Sequence, residues 1–429
     1  MRGCLDGLIR GALLVDGSGP FDLGLSGGRI AAIEPHIDSD VPAFDAAGGL
    51  VCCGLTESHI HLDKAGILGR CRVCAGTLAE AISETARVKP GFTSEDVYAR
   101  ARRVVEHAIA HGTNRLRSFV EIDPRAGYRS FEAIRQIRRD YAWAIDIEIC
   151  AFAQDGLSND PGTEQMLARA LKEGANLVGG CPYTDTDPPD HVRRIFDLAQ
   201  RHDVPLDLHL DFDLEPAGSL LPAVIAQTRR RGWGGRVSVG HVTKLSALPR
   251  SDFLATGRQL AEAGIGVTVL PATDLYLTGR NVDRLVPRGL TPAHRLAELG
   301  VVTSIATNNV LNPFTPFGDA SLVRMANLYA TVAQVGTAAG LEQVFRMISS
   351  DATRLLGGAP GRIAVGEPAD LVVFAAGSTS AVIAENAPAR AGWKRGRASF
   401  VRPAARLLAP AGSGAGREPG PDGSDGPDT

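Results

Sequence analysis

The chain has 429 residues, of which 44% are hydrophobic and 22% charged, so it can bury one large core or a core with a smaller domain. Its net charge is only -3 and its charges are scattered, which argues against nucleic acid or a membrane as partner and favours a small, nearly neutral substrate. We find no signal-peptide pattern and no run of about 20 apolar residues. The seven cysteines are odd in number and mostly lie in apolar runs, which predicts reduced thiols and a cytoplasmic location.

Both ends of the chain predict short β-strands. Residues 1–54 contain β-rich runs broken by glycine, at 8–15, 21–25, 29–33 and 49–53. Residues 361–374 have the same character, a turn followed by an apolar strand. We therefore predict a small discontinuous β-sandwich domain from residues 1–54 and 358–410. Residues 411–429 are rich in glycine, proline, serine and charge, which predicts a disordered tail.

Residues 55–357, with the apolar run that precedes them, alternate between two patterns. Apolar runs typical of parallel strands occur at 50–55, 115–122, 145–152, 176–181, 205–211, 236–241, 264–270 and 301–306. Segments with helical periodicity separate them, among them 94–111, 131–139, 163–173, 191–202, 220–231 and 252–263. Strand followed by helix, repeated eight times, predicts an α/β fold of the (β/α)8 TIM-barrel type.

In such a barrel, active sites lie at the carboxyl ends of the strands. Polar side chains stand at these ends in the sequence: His59 and His61, Gln154, His209, His241, Asn308 and Asn309. Because His59 and His61 are two residues apart, a strand would point both imidazoles to one face, where they can share a metal ion. Two hydrogen-bonded strand histidines would give the same pattern, so the pair alone does not decide.

The predicted fifth strand has two chemically different faces. One face carries Leu206, Leu208, Leu210, Phe212 and Leu214, and the other carries Asp207, His209, Asp211, Asp213 and Glu215. We expect the acidic face to point towards the mouth of the barrel with His209. The alternative is an exposed edge strand with a solvated acidic face.

Together these motifs resemble the amidohydrolase superfamily, and within it the cytosine deaminase group and its relatives that act on triazine rings. The similarity runs from about residue 8 to about residue 375. It rests on residues 57–64 (ESHIHLDK), 152–156 (FAQDG), 208–211 (LHLD), 240–243 (GHVT), 270–280 (LP to LTGR) and 308–314 (NNVLNPF).

The resemblance implies one divalent metal ion, zinc or iron, bound by His59, His61 and His209. Asn308 stands where the family has an aspartate that completes the metal site. The metal would acidify a water molecule, and the resulting hydroxide would attack a ring carbon. The resemblance thus implies a hydrolase acting on carbon–nitrogen bonds of a cyclic amide or amidine, by deamination or a related cleavage.

The resemblance also implies roles for residues around the metal. His241 would assist catalysis beside the metal-bound water, and Gln154 would hold the substrate ring. Lys64 either contacts the substrate or forms a salt bridge with a nearby acid.

Two positions depart from the family pattern. The amide of Asn308 is a weaker ligand than a carboxylate and cannot act as a base. Phe212 occupies the position of a glutamate, so we expect Asp211 or Asp213 to transfer the proton, with Asp211 favoured because it is nearer to His209. These departures keep a second hypothesis open, a catalytically silent paralogue that binds a small ligand. The sequence leaves assembly into a homo-oligomer open.

Overall fold

The computed structural model describes residues 4–403, 405 and 408, and these residues form 16 strands and 13 α-helices. In chain order the strands are β1 (Gly7–Ala12), β2 (Phe21–Ser26), β3 (Arg29–Glu34), β4 (Ala43–Asp45), β5 (Leu50–Cys53), β6 (Leu55–Ile60), β7 (Thr113–Glu121), β8 (Asp146–Ala153), β9 (Leu177–Gly180), β10 (Leu206–Leu210), β11 (Val237–His241), β12 (Ile265–Val269), β13 (Thr303–Ile305), β14 (Leu371–Phe374), β15 (Ala389–Lys394) and β16 (Arg397–Val401). The helices are α1 (Leu78–Val88), α2 (Ser94–Ala110), α3 (Arg129–Asp140), α4 (Thr163–Lys172), α5 (Pro188–His202), α6 (Leu221–Arg231), α7 (Arg250–Ala263), α8 (Pro271–Leu277), α9 (Ala293–Glu298), α10 (Leu322–Ala333), α11 (Ala338–Arg346), α12 (Ser350–Leu355) and α13 (Thr379–Ala384). The predicted disordered tail, residues 411–429, lies outside the described residues.

Two four-stranded sheets bring the ends of the chain together. The first has the strand order β3-β2-β1-β4, and the second has the order β16-β15-β14-β5. One apolar core draws side chains from both sheets, including Ile9, Leu23, Val51, Val373 and Trp393. The predicted β-sandwich built from both chain ends is therefore confirmed. Its predicted limits, 1–54 with 358–410, and those of the barrel domain, 55–357, stay predictions.

Strands β6 to β13 form one eight-stranded sheet in which each strand pairs in parallel with the next along the chain. The sheet closes where Ile60 of β6 bridges Asn308, just beyond β13. Strands β9 to β13 are buried along their whole length, because helices cover the outer face of a parallel barrel while side chains fill its interior. The predicted (β/α)8 barrel is confirmed.

Capping residues mark where several barrel helices begin and end. The side chains of Thr77, Thr93 and Asp187 each accept a hydrogen bond from a backbone N–H in the first turn of α1, α2 and α5. Helices α6 and α7 end at Gly232 and Gly264, whose φ angles of 63° and 66° suit glycine best. These ends fix where each helix returns the chain to the barrel.

The prediction of one barrel strand at residues 50–55 is wrong. The structure divides it into β5, which pairs antiparallel with β14 in the sandwich, and β6, which begins the barrel. Gly54 separates them, and a side chain there would collide with Asn114, since a Cβ would come within 2.0 Å of its Nδ2 atom. The eighth strand, predicted at 301–306, is limited to the three residues of β13.

Two further observations concern the chain as a whole. In the described part of the chain, no helix combines the length and the apolar character that crossing a bilayer requires. All seven cysteines belong to the described residues, and each is a free thiol.

Candidate active site

Three histidine side chains meet at the carboxyl ends of the barrel strands. His59 lies near the end of β6, His61 follows that strand directly, and His209 lies in β10. The Nε2 atom of His209 is 3.0 Å from Nε2 of His59 and 3.0 Å from Nε2 of His61. All three residues are buried, and their ligand atoms lie within 4.8 Å of one another.

This arrangement fits a divalent cation better than a hydrogen-bonded histidine cluster. A neutral imidazole nitrogen carries either one hydrogen or one lone pair, so Nε2 of His209 cannot form good hydrogen bonds with both neighbours. Burial, aided by neighbouring positive charge, holds the pKa of each ring well below its usual range, so the rings stay neutral and offer lone pairs. Nitrogen atoms that share a zinc-type ion at about 2.0–2.1 Å lie roughly 3 Å apart, which matches the observed separation.

Aromatic side chains pack closely against two of the three imidazole rings. His59 stacks on Phe119 with ring centroids 3.8 Å apart, and the ring of His209 lies 4.4 Å from that of Phe152. Their Nδ1 atoms are buried, and none has a hydrogen-bond partner among the described residues. Aromatic contacts therefore orient His59 and His209, whereas Nδ1 of His61 lies 4.0 Å from Oδ1 of Asp63.

Asn308 presents an unpaired amide oxygen close to the histidines. Its backbone N–H donates to the carbonyl of His59, and its own carbonyl accepts from the N–H of His61, both at 2.8 Å. The side-chain Nδ2 donates to Oγ1 of Thr273 at 3.0 Å, while Oδ1 is buried without a partner in the described part of the chain. An orphaned buried oxygen is costly unless something binds it, which makes Oδ1 suitable as a further metal ligand.

His241, the last residue of β11, is paired with a carboxylate. Its Nδ1 lies 2.6 Å from Oδ1 of Asp274 in α8, and Asp274 also accepts from the N–H of Leu270. An ionised carboxylate only accepts hydrogen bonds, so Nδ1 carries the hydrogen of this contact and Nε2 is the ring nitrogen left for a ligand. The pair can therefore accept and return a proton at Nε2.

Lys64 and Gln154 form a polar corner of the site. The Lys64 ammonium donates to Oε1 of Glu121 at 2.8 Å and to Oε1 of Gln154 at 2.9 Å. Because Gln154 gives its oxygen to Lys64, its Nε2 group is left to donate to a ligand. Lys64 forms the salt bridge that was one of the two alternatives and also lines the cavity, while its contact with the substrate stays a prediction.

A second buried lysine extends this corner away from the cavity. The Lys89 ammonium lies 2.6 Å from Oε2 of Glu121, 2.9 Å from Asp123 and 2.8 Å from Asp155. Burial alone would raise the pKa of Glu121, but the two ammonium groups lower it to about 2. Glu121 is therefore an ionised bridge between Lys64 and Lys89.

The two aspartates expected to transfer the proton do not face the histidines. Strand β10 ends at Leu210, and the φ of 53° at Asp211 breaks the alternation on which the prediction rested. The Asp211 carboxylate accepts from Ser219 and from the N–H of Leu220, at the start of α6. Asp213 pairs with Lys244, and its side chain is 55% exposed. The expected placement of Asp211 and Asp213 at the metal site is wrong.

A narrow cavity connects these groups. It is lined by His61, Lys64, Leu78, Gln154, Tyr183, His209, Phe212, His241, Thr273, Leu277, Asn308, Asn309 and Phe314. Phe212, at the position of the family glutamate, thus enters the site in place of the two aspartates. The cavity brings together the predicted residues Lys64, Gln154, His241 and Asn308 with two of the three histidines.

Sequence reasoning missed Asp274, Glu121 and Lys89. Glu121 ends β7 and Asp274 lies in the first turn of the helix that follows β12, so both stand at carboxyl ends of barrel strands. The rule that selected His241 could therefore have found them. Lys89 lies in a short 3-10 helix after α1, where nothing in the local pattern marks it.

A parallel barrel with converging imidazoles at the carboxyl ends of its strands defines a barrel hydrolase with a histidine metal centre. A sequence profile of the amidohydrolase family matches residues 72–400. The chain belongs to the amidohydrolase family, as the sequence motifs indicated.

Curated relatives and solved structures agree with this assignment. The chain is 30% identical over 384 residues to N-isopropylammelide isopropyl amidohydrolase of Pseudomonas sp. (strain ADP), covering 86% of this chain and 91% of that protein. It is 28% identical over 371 residues to pterin deaminase of Rhizobium rhizogenes, covering 84% of each. The structure of 5-methylcytosine deaminase from Klebsiella pneumoniae liganded with 5-fluorocytosine superposes with a TM-score of 0.87 at 25% identity, covering 94% of this chain and 100% of that one. N-isopropylammelide isopropylaminohydrolase from Burkholderia multivorans superposes with a TM-score of 0.79 at 25% identity, covering 91% and 97%.

Proposed function

We propose that this protein hydrolyses a carbon–nitrogen bond at a ring carbon of a small nitrogen heterocycle, a cyclic amide or amidine. The observation that carries the proposal is the convergence of three neutral imidazoles, with Nε2 of His209 lying 3.0 Å from Nε2 of His59 and 3.0 Å from Nε2 of His61. His59, His61 and His209 would hold one divalent ion, zinc or iron, with Oδ1 of Asn308 as a further ligand. The ion, when bound, would acidify a water molecule and so supply a nucleophile at neutral pH.

His241 moves the proton in this proposal. Asp274 holds the imidazole with Nδ1 protonated, so Nε2 can take a proton from the attacking water and return it to the departing nitrogen. The oxygen of water forms a bond to the ring carbon, the bond from that carbon to nitrogen breaks, and the proton leaves with the amine. Atoms and electrons balance without an oxidant or reductant.

Lys64 and Gln154 position the ring. Both present nitrogen donors to the cavity, and their mutual hydrogen bond of 2.9 Å sets the two donors side by side. N-isopropylammelide, pterin and 5-methylcytosine, named in the relatives, are all nitrogen heterocycles with an amino substituent on a ring carbon. A ring of this kind offers carbonyl or ring-nitrogen acceptors to the two donors.

The second candidate function is a catalytically silent relative that binds a small ligand. Two departures from the pattern that the resemblance implies favour it, the amide of Asn308 in place of an aspartate and the ring of Phe212 in place of a glutamate. The retained His241–Asp274 pair favours the enzyme, because a protein that only binds a ligand has no need for a proton carrier in its cavity.

A turnover assay separates the two candidates. Protein loaded with zinc or with iron is incubated with a panel of amino-substituted pyrimidine, pteridine and triazine rings, and amine release is measured. We expect turnover of at least one ring and a loss of at least ~100-fold in His241→Gln, the low end of general acid–base catalysis. The peripheral variant His202→Gln serves as control and should keep the parent rate. Fully loaded protein that releases no amine from any ring would support the silent relative instead.

The proposal includes a cytoplasmic site of action on a free small molecule. Its support is the scattered charge and the odd number of free cysteines, which suit a reducing compartment.

A further inference from the structure

One part of the cavity lining is apolar and continuous. Phe212, Leu277 and Phe314 are buried in one cluster, and Leu78 of α1 packs against it. All four side chains line the cavity, and we call them the apolar wall. The cavity therefore joins a polar region, formed by the histidines, Lys64 and Gln154, to a hydrocarbon surface.

The apolar wall begins beside the proposed proton carrier. The ring of Phe212 stands edge-on to the imidazole of His241, with centroids 4.4 Å apart and planes at 87°. Tyr183 extends this surface, since its ring lies 6.4 Å from that of Phe212. The nitrogen that His241 protonates must lie within hydrogen-bond reach of its imidazole, so a substituent on that nitrogen lies next to Phe212.

The wall discriminates between departing groups. An unsubstituted amino group beside it would exchange water for hydrocarbon without gaining a hydrogen bond from Phe212 or Leu277. An alkyl group on the same nitrogen would bury apolar surface against these side chains and gain free energy. A carboxylate at position 212 would favour the opposite choice, because it can bind N–H groups.

We propose that the departing group is an alkylamine, so that the substrate is a nitrogen heterocycle with an N-alkylated amino substituent; this inference rests on the proposed function and names its substrate class. Water supplies the oxygen that bonds to the ring carbon, the exocyclic bond from that carbon to nitrogen breaks, and the amine leaves with its alkyl group and the transferred proton. Of the relatives described above, one has such a ring in its name, N-isopropylammelide, whereas the names of two others contain unsubstituted amines.

The test compares matched pairs of rings that differ only at the exocyclic nitrogen. Suitable pairs are ammelide and N-isopropylammelide, cytosine and N4-isopropylcytosine, and pterin and N2-isopropylpterin, each assayed with metal-loaded protein for kcat/KM. On any ring that is hydrolysed, we expect the alkylated member to be preferred by at least ~10-fold, because even one methylene in an apolar pocket gives about 10- to 200-fold. Equal rates or a preference for the unsubstituted amine would overturn this inference and leave the proposed function intact. Hydrolysis of none of the six compounds would overturn this inference, while amine release from another ring of the panel would leave the proposed function intact; no release from the whole panel would overturn both.

Two variants of Phe212 test whether this side chain causes the preference for the alkylated substrate. Phe212→Leu keeps an apolar side chain, whereas Phe212→Gln has a similar size to leucine but offers polar atoms. We expect the preference to survive in the first and to fall by at least ~10-fold in the second, with melting temperature and metal content as checks on folding. An unchanged preference in folded Phe212→Gln would overturn the role of the wall. Should that variant fail to fold, the substrate pairs measured on the parent protein still decide.

Discussion

Replacing Lys89 with methionine should destabilise the protein by about 3–5 kcal/mol at pH 7, the cost of removing one partner from a buried ion pair. The Lys89 side chain is 2% exposed, and its ammonium contacts three carboxylates at 2.6 to 2.9 Å. Methionine retains much of the apolar stem but no charge, so Glu121, Asp123 and Asp155 lose a shared cation. Asp155 keeps a contact with Arg125 at 3.2 Å, which limits the loss.

The destabilisation should depend on pH. In the parent, the pKa of Glu121 is lowered to about 2, below its unfolded value of about 4.3, so its ionisation contributes stability above pH 4.3 that is lost as pH falls towards 2. Without Lys89, one of the two groups that lower this pKa is gone, and the folded value rises. The variant therefore gains less from ionisation at neutral pH, and the difference from the parent should shrink below about pH 4.

Urea unfolding of the metal-loaded proteins at several pH values measures this difference. Lys89→Arg keeps the charge and should lose less than Lys89→Met. Arg193→Met is a surface control: its partners Asp190 and Asp197 are solvent-accessible, so its loss should stay within ~1 kcal/mol. A loss below ~1 kcal/mol for Lys89→Met at pH 7, or a difference that grows on acidification, would show that the three carboxylates do not depend on the Lys89 ammonium.

Two further changes probe the site. Asp274→Asn should lower kcat by about 100- to 10,000-fold with unchanged metal content, because the amide no longer fixes the protonated nitrogen of His241. Steady-state kinetics and elemental analysis measure the two quantities, and a kcat equal to that of the parent would contradict this prediction. Asn308→Asp should tighten metal binding and alter the pH–rate profile, because a carboxylate adds the negative charge that the amide lacks. Competition with a chelator and pH–rate profiles test this, and no change in either would place Asn308 outside the site.

The barrel could be predicted because buried parallel strands have continuous apolar runs. The runs at 205–211, 236–241 and 264–270 correspond closely to β10, β11 and β12. The apolar run at 50–55 gave an incorrect prediction of one strand, because two strands of different sheets follow each other there with only Gly54 between them. Hydrophobicity does not distinguish the partners of a strand, so the division requires the tertiary structure.

Site residues could be predicted from the sequence where their position at the end of a strand determines their place in the site. His61 and His209 meet because the ends of parallel strands lie at one edge of the barrel. Asp211 was misplaced because its backbone leaves the extended region, which residue alternation does not reveal. Lys89 reaches Glu121 across 32 residues of sequence, and such pairing depends on the loop geometry after α1.

The proposed function depends on a metal centre of three histidines, which a measurement of metal stoichiometry tests. Protein prepared with supplied zinc or iron is freed of unbound metal, and its metal content per chain is measured by elemental analysis. His61→Ala and His241→Ala are prepared and measured in the same way. We expect about one equivalent per chain in the parent and in His241→Ala, and a small fraction of that in His61→Ala, since three ligands are the fewest that catalytic zinc sites use. A metal-free parent, or His61→Ala with the parent stoichiometry, would show that these histidines do not form a metal site.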